Sequence, residues 1–266
     1  RFYGEEILGI KYQSVVQGLD SFVVKPKNYT TTAAYKLFIK ADALRLANHF
    51  KESIKHYLSA ILIDRKNYRT YMGLGISYKA EQKYDKAIDA LEKARKLSFF
   101  TPEIHYELGL CYLITGHFCE AIKSFHHAIS LDRTNINAQL QLGVAHEFIE
   151  EYDMAILIYH TIIENNPSFI SAYNHLSALY MNLGEFKAAG CVFSQILKAN
   201  PNFSKAYLGL AICFDKMSNK SRAMHYYKLF LDKKPHSHHA ERIKKRIAKL
   251  RNLKESNPSQ PTFAIL

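Results

Sequence analysis

Tyr71-Met-Gly-Leu-Gly-Ile-Ser-Tyr78, followed by Tyr84-Asp-Lys-Ala-Ile-Asp-Ala-Leu91, is the stretch on which the fold turns. It recurs. Leu74-Gly75 becomes Leu108-Gly109 after 34 residues, then Leu142-Gly143, Leu176-Ser177 and Leu210-Ala211, and one step back it is Lys40-Ala41. The second half keeps the same step through Ser53, Ala87, Ala121, Ala155, Ala189 and Ala223. Six copies in one register, with no insertion, predict a stacked array of helix pairs.

The unit at 102–135 shows what each position needs. Pro102 suits the first turn of a helix, where its missing N–H has no intrahelical partner anyway. Ile104, Leu108, Tyr112 and Leu113 recur at helical spacing. Gly116 ends that helix, because glycine accepts the turn conformation other residues resist. Phe118, Ala121, Ile122, Phe125, Ala128 and Ile129 form the second helix. Gly109 and Ala121 are small because the two helices cross closely there, and Phe125 fills the wider space beside the crossing. Pro167, Pro201 and Pro235 close the fourth, fifth and sixth units at one fixed place.

Over residues 34–237 the chain resembles the tetratricopeptide repeat family. Signature positions in the fifth unit are Tyr173, Leu176, Ser177, Tyr180, Gly184, Phe186, Ala189, Phe193 and Pro201; in the sixth, Tyr207, Leu210, Ala211, Phe214, Ala223, Tyr227 and Pro235. Departures are Lys40 and Arg65 in the first unit, Phe99 and the turn Ala80-Glu-Gln-Lys83 in the second, and His146 in the fourth. The resemblance implies an all-α fold, a right-handed α-solenoid with a concave groove that binds peptide segments of partner proteins.

The expected units are 34–67, 68–101, 102–135, 136–169, 170–203 and 204–237, counted as one elongated domain because each unit contacts only its neighbours. Before them, residues 1–33 read as a helix and a linker. Leu8, Tyr12, Val15 or Val16, and Leu19 share one face of that helix. It serves as an end cap or, on the alternative reading, lies in the groove as an internal ligand. Thr31 or Thr32 is placed to cap the next helix. After the units, residues 238–254 read as a basic capping helix whose stripe Ile243, Ile247 and Leu250 closes the sixth unit. The tail 255–266 is polar and proline-containing, and is expected to be disordered up to an apolar end, Phe263-Ala-Ile-Leu266.

The net charge of +12 is unevenly spread. Residues 1–101 carry +8, residues 102–203 carry −6, and residues 204–266 carry +10. Cys111, Cys119, Cys191 and Cys213 have no metal-binding spacing and are read as small buried hydrophobes. Nothing points to a disulfide framework, so a reducing, cytoplasmic setting is expected. The chain opens at Arg1 rather than Met, which leaves an earlier segment open. No apolar run approaches the length of a bilayer span.

In the family the first helix of each unit lines the groove. Its inner face carries the second, fifth, ninth and twelfth positions of the unit. These are Tyr35, Phe38, Asp42 and Arg45; Arg69, Met72, Ile76 and Lys79; Glu103, Tyr106, Leu110 and Leu113; Asn137, Leu140, Val144 and Glu147; Ser171, Asn174, Ala178 and Met181; Lys205, Leu208, Ile212 and Asp215. The expected partner-binding residues are Arg69, Met72, Ile76, Glu103, Tyr106, Leu110, Asn137, Leu140, Val144, Glu147, Asn174, Met181, Lys205 and Leu208. The apolar run among them reads as an anchor site; the alternative is burial between neighbouring first helices. Some members grip the C-terminal carboxylates of heat-shock chaperones with lysine at the fifth place and asparagine at the ninth. No unit here carries that pair, so that ligand is disfavoured.

No catalytic or metal constellation emerges, and no cofactor is expected. His146-Glu147-Phe-Ile-Glu150 lacks the second histidine of a zinc-protease helix. His236, His238 and His239 read as a solvated turn. The chain is therefore expected to be a non-enzymatic interaction scaffold. Two other readings stand beside it. The patch Arg242, Lys244, Lys245, Arg246, Lys249 and Arg251 would meet nucleic acid or an anionic membrane surface. Self-association would place the Phe263–Leu266 end or the first helix in a neighbour's groove, giving a homo-oligomer.

Overall fold

The computed structural model describes residues 32–255, and side chains from 33 to 252. The expected N-terminal helix and the apolar tail end lie outside the described residues. Among these residues there are thirteen α-helices and no strand. They pair by unit: α1 (Thr32–Leu46) with α2 (Phe50–Ile63), α3 (Tyr68–Ala80) with α4 (Tyr84–Leu97), α5 (Pro102–Ile114) with α6 (Phe118–Leu131). The series continues with α7 (Ile136–Phe148), α8 (Tyr152–Asn165), α9 (Ile170–Asn182), α10 (Phe186–Ala199), α11 (Ser204–Lys216) and α12 (Lys220–Lys233), and ends with α13 (Ala240–Glu255). The described residues belong to two compact units, one ending at Glu150 and one beginning at Glu151, a division inside the fourth repeat. In the first, α1, α3, α5 and α7 lie side by side as one layer.

The helix ends follow local chemistry. Pro102 is at the start of α5. Asn67, Asn135 and Asn219 cap α3, α7 and α12, their side-chain oxygens accepting the N–H of Arg69 (3.0 Å), Ala138 (2.9 Å) and Arg222 (3.2 Å). The turn inside each unit uses a left-handed residue. Gly116 and Gly184 supply it at φ +79° without strain, whereas Asn48, Gln82, Glu150 and Ser218 adopt it at φ of 58–62°. At the place where three units have proline, Phe99 packs edge-on against His105, and its carbonyl oxygen accepts from His105 Nε2 at 2.6 Å. Burial holds that imidazole below its usual pKa.

The small residues sit at the crossings, as their size requires. Ala41, Gly75, Gly109, Ser177 and Ala211 are all buried, and so are Ser53, Ala87, Ala121, Ala189 and Ala223. A Cβ on Gly109 would stand 2.5 Å from the Phe125 ring, and one on Gly75 would stand 2.6 Å from Leu91. Glycine two positions earlier does the same for the preceding unit. A Cβ on Gly73 would stand 2.3 Å from the Tyr57 hydroxyl oxygen and 2.4 Å from its ring, and one on Gly209 would stand 2.3 Å from the Phe193 ring. Tyr57, Leu91, Phe125 and Phe193 are thus each seated on a glycine.

In the second compact unit, Ile243, Ile247 and Leu250 of α13 pack with Ala211, Ala223, Tyr227 and Phe230. The stripe lies against residues of α11 and α12. Burial of each of those aliphatic side chains contributes roughly 1.5–3 kcal/mol. The cysteines divide differently from the sequence reading. Cys111 and Cys213 are buried, and burial pushes their thiols up to about 12 and about 11 respectively. Cys119 and Cys191 are exposed, because their helical positions point away from the crossings.

Candidate peptide-binding face

The inner-face positions fall on the first helices of each unit. In the first compact unit, Met72 and Ile76 of α3, Tyr106 and Leu110 of α5, and Val144 of α7 are half-buried. Helical period puts them on the face that the layer of first helices turns outward. Tyr106 is held by the Phe125 ring, 6.1 Å away and tilted by 54°. Burial, with Glu107 beside it, raises the Tyr106 phenol above its ordinary pKa. Arg69 borders the run and lies over the Tyr68 ring, 5.8 Å from its centre. Glu103 and Asn137 are exposed at the outer end of the same face, and Glu147 is half-buried at the other.

Leu140 departs from the expected set. It is 6 % exposed and is a core residue, because position five of α7 turns into the helix layer. Phe38, at the same position of α1, is 4 % exposed, packed among Ile39, Ile54, Tyr57 and Leu74. In the second compact unit the face is more polar. Asn174 and Lys205 are exposed, while Met181 and Leu208 are half-buried.

Several charged inner-face residues have partners within the protein. Arg45 donates from two guanidinium nitrogens to Asp42 Oδ1 (3.1 and 3.0 Å) and from Nε to the Tyr57 hydroxyl (3.2 Å). The Tyr57 hydroxyl also donates to Asp42. Lys79 is ion-paired with Glu107, which ties α3 to α5. Glu107 was not among the expected residues. It stands at position six, one place off the inner-face spacing, where only its long side chain reaches Lys79.

The basic patch on α13 is smaller than the sequence count. Arg246 donates to both oxygens of Asp215 (2.7 and 2.6 Å), and the Tyr227 hydroxyl donates to the same carboxylate at 3.1 Å. Arg246 is therefore a clasp between α13 and α11 rather than a cation offered to a partner. The Arg246 bonds are the main reason the Asp215 carboxyl lies below the usual aspartate range. Lys244 pairs with Glu241 at 2.8 Å. Arg242, Lys245, Lys249 and Arg251 remain exposed.

Among the described residues no group of three or more His, Cys, Asp or Glu is placed to hold a metal, and no helix is long and apolar enough to cross a membrane. Family models of the tetratricopeptide repeat match residues 72–135 and 170–203. Among curated proteins no sequence match is found. A solved structure of the C-terminal part of a TPR repeat-containing protein from Cytophaga hutchinsonii is 18 % identical, with a TM-score of 0.74 over 82 % of this chain and 88 % of that one. The MamA protein is 27 % identical, with a TM-score of 0.57 over 63 % of this chain and 92 % of that one. YrrB, described as a TPR protein with an unusual peptide-binding site, is 18 % identical, with a TM-score of 0.56 over 71 % of this chain and 97 % of that one. Repeat period, seated aromatics, helix pairing and these matches agree, and the chain is an all-α repeat solenoid that carries tetratricopeptide repeats.

Proposed function

We propose that the chain is a non-catalytic interaction scaffold, and that the inner face of α3, α5 and α7 holds an extended or helical segment of a partner protein. The observation that carries this is the run Met72, Ile76, Tyr106, Leu110 and Val144, apolar yet only half-buried. Such a run bordered by Arg69, Glu103 and Asn137 suits a segment with apolar anchors fixed in register by a few hydrogen bonds. The acidic middle of the chain favours basic residues flanking those anchors. The peptide-binding site named for YrrB is consistent with this reading. Lys79 and Arg45 are already paired and do not contribute.

The test replaces Tyr106 and Val144 with glutamate, leaving the buried Leu140 untouched. Crosslinked pull-downs from the source cell are compared at low and high salt for parent and variant, with circular dichroism to check folding. A protein recovered by the parent at both salts and lost by a folded variant is the expected result. Equal recovery by both overturns the reading. Recovery only at low salt, equal for both, transfers the interaction to Arg242, Lys245, Lys249 and Arg251 and to anionic partners.

A further inference from the structure

The twenty-first position of the six units reads Ile54, Ile88, Ile122, Ile156, Gly190 and Met224. Five units put a large aliphatic side chain there and the fifth puts none. What that side chain does is visible in the second unit. Ile88 packs against the cluster containing Leu108 and Cys111 of the next unit's first helix. The residues three repeats further along are Gly190, Leu210 and Cys213. A Cβ on Gly190 would have Leu210 Cδ2 and Cys213 Cβ as its nearest neighbours, both at 3.9 Å. The floor of an isoleucine socket is therefore present in the seam between α10 and α11, and the isoleucine is missing.

The seam opens there into a pocket of about 390 Å³, lined by Lys187, Cys191, Lys198, Phe214, Met217 and Arg222, among others. Its volume is in the range of small-ligand sites. Three cations, Lys187, Lys198 and Arg222, and no carboxylate are among its lining residues. The Arg222 guanidinium lies 5.3 Å from the centre of the Phe214 ring, and that ring stacks on Tyr226 at 5.4 Å, so the aromatic wall is fixed. A glycine within a helix is unfavourable by itself, so the hollow has no local conformational reason.

We propose that this pocket is a second docking site, distinct from the inner face of α3, α5 and α7. Its ligand is a short acidic peptide segment carrying one branched aliphatic side chain. That side chain takes the place of the missing isoleucine on Leu210 and Cys213. The flanking carboxylates meet Lys187, Lys198 and Arg222, and the charge match sets orientation and the rate of encounter. The site is built from α10, α11, α12 and the turn that joins the last two.

Cys191 lines the pocket and is exposed, which makes it a reporter; Cys119, exposed on α6, is the internal reference. The experiment alkylates the full chain with iodoacetamide, with and without the peptide Glu-Asp-Ile-Asp-Glu, and follows each cysteine by mass spectrometry. The expected result is that peptide at about ten times its Kd slows Cys191 by about ten-fold, the unbound fraction setting the rate, and leaves Cys119 unchanged. Gly190→Ala keeps the hollow and keeps the protection. Gly190→Ile refills the socket and abolishes it. Lys198→Glu, on an exposed position that leaves packing intact, weakens the peptide at least several-fold. Replacing isoleucine by serine in the peptide, or its four acids by amides, also removes protection. Protection that survives in Gly190→Ile, or that either altered peptide gives equally well, overturns the proposal, as does no protection at millimolar peptide. The Tyr106→Glu, Val144→Glu variant retains protection, so the two sites succeed or fail separately.

Discussion

The crossing of α5 with α6 and the seam of α10 with α11 each contain a buried helical glycine, and the two have opposite meanings. At Gly109 an added Cβ would stand 2.5 Å from the Phe125 ring; at Gly190 it would find nothing nearer than 3.9 Å. The first glycine exists to admit a neighbour. The second leaves a space that its repeat-mates fill. Residue type alone does not separate these cases, because the cost of a glycine in a helix is the same at both and only the surroundings differ.

The largest test of that contrast is Gly109→Ala. The new methyl cannot coexist with the ring of Phe125, so overpacking outweighs the gain in helix propensity. The expected loss is about 1–3 kcal/mol, read as a lower urea midpoint. An unchanged midpoint would mean the ring is not seated on that glycine.

A second test moves to the end of the array, where a polar clasp replaces apolar seating. Arg246→Gln should lower stability by about 1 kcal/mol near neutral pH, since the pair is only partly buried. The Asp215 carboxyl is held below its ordinary pKa. Its contribution is present above the unfolded value and is lost as pH falls through the folded one. The gap between parent and variant should therefore close below about pH 4. A gap that persists at pH 2 would show that Arg246 acts through packing instead.

The smallest effect returns to the seam. Gly190→Ala should raise stability by about 0.5–1 kcal/mol, as a helical glycine with room beside it is replaced by the best helix former. A loss there would show the hollow to be closed, and would remove the basis for ligand docking.

The period and the helix pairing were legible in the sequence because each unit repeats the same constraint. A small residue at the eighth and twentieth positions and a large one at the twenty-fourth recur wherever two helices cross. Ile243, Ile247 and Leu250 share one face by helical period, and in the structure that face packs with Ala211, Ala223, Tyr227 and Phe230. Leu140 was misplaced, because helical period gives the direction of a side chain and not how closely the next helix approaches it. Arg246 was misread as a free cation because its partner Asp215 lies 31 residues earlier, on another helix. Cys119 and Cys191 were taken as buried from helix membership alone, which carries no information about the face.

The repeated pattern by itself determined the helix spans, the close crossings and the face on which a partner segment is proposed to lie, because each depends on local spacing and side-chain size. Only the tertiary structure decided which of those face residues remain available. It paired Asp42 with Arg45, Lys79 with Glu107 and Arg246 with Asp215, and it sank Leu140 into the core. It also turned one glycine in a column of aliphatic residues into a cavity. Availability and empty space are properties of distances between helices, and no spacing along one helix records them.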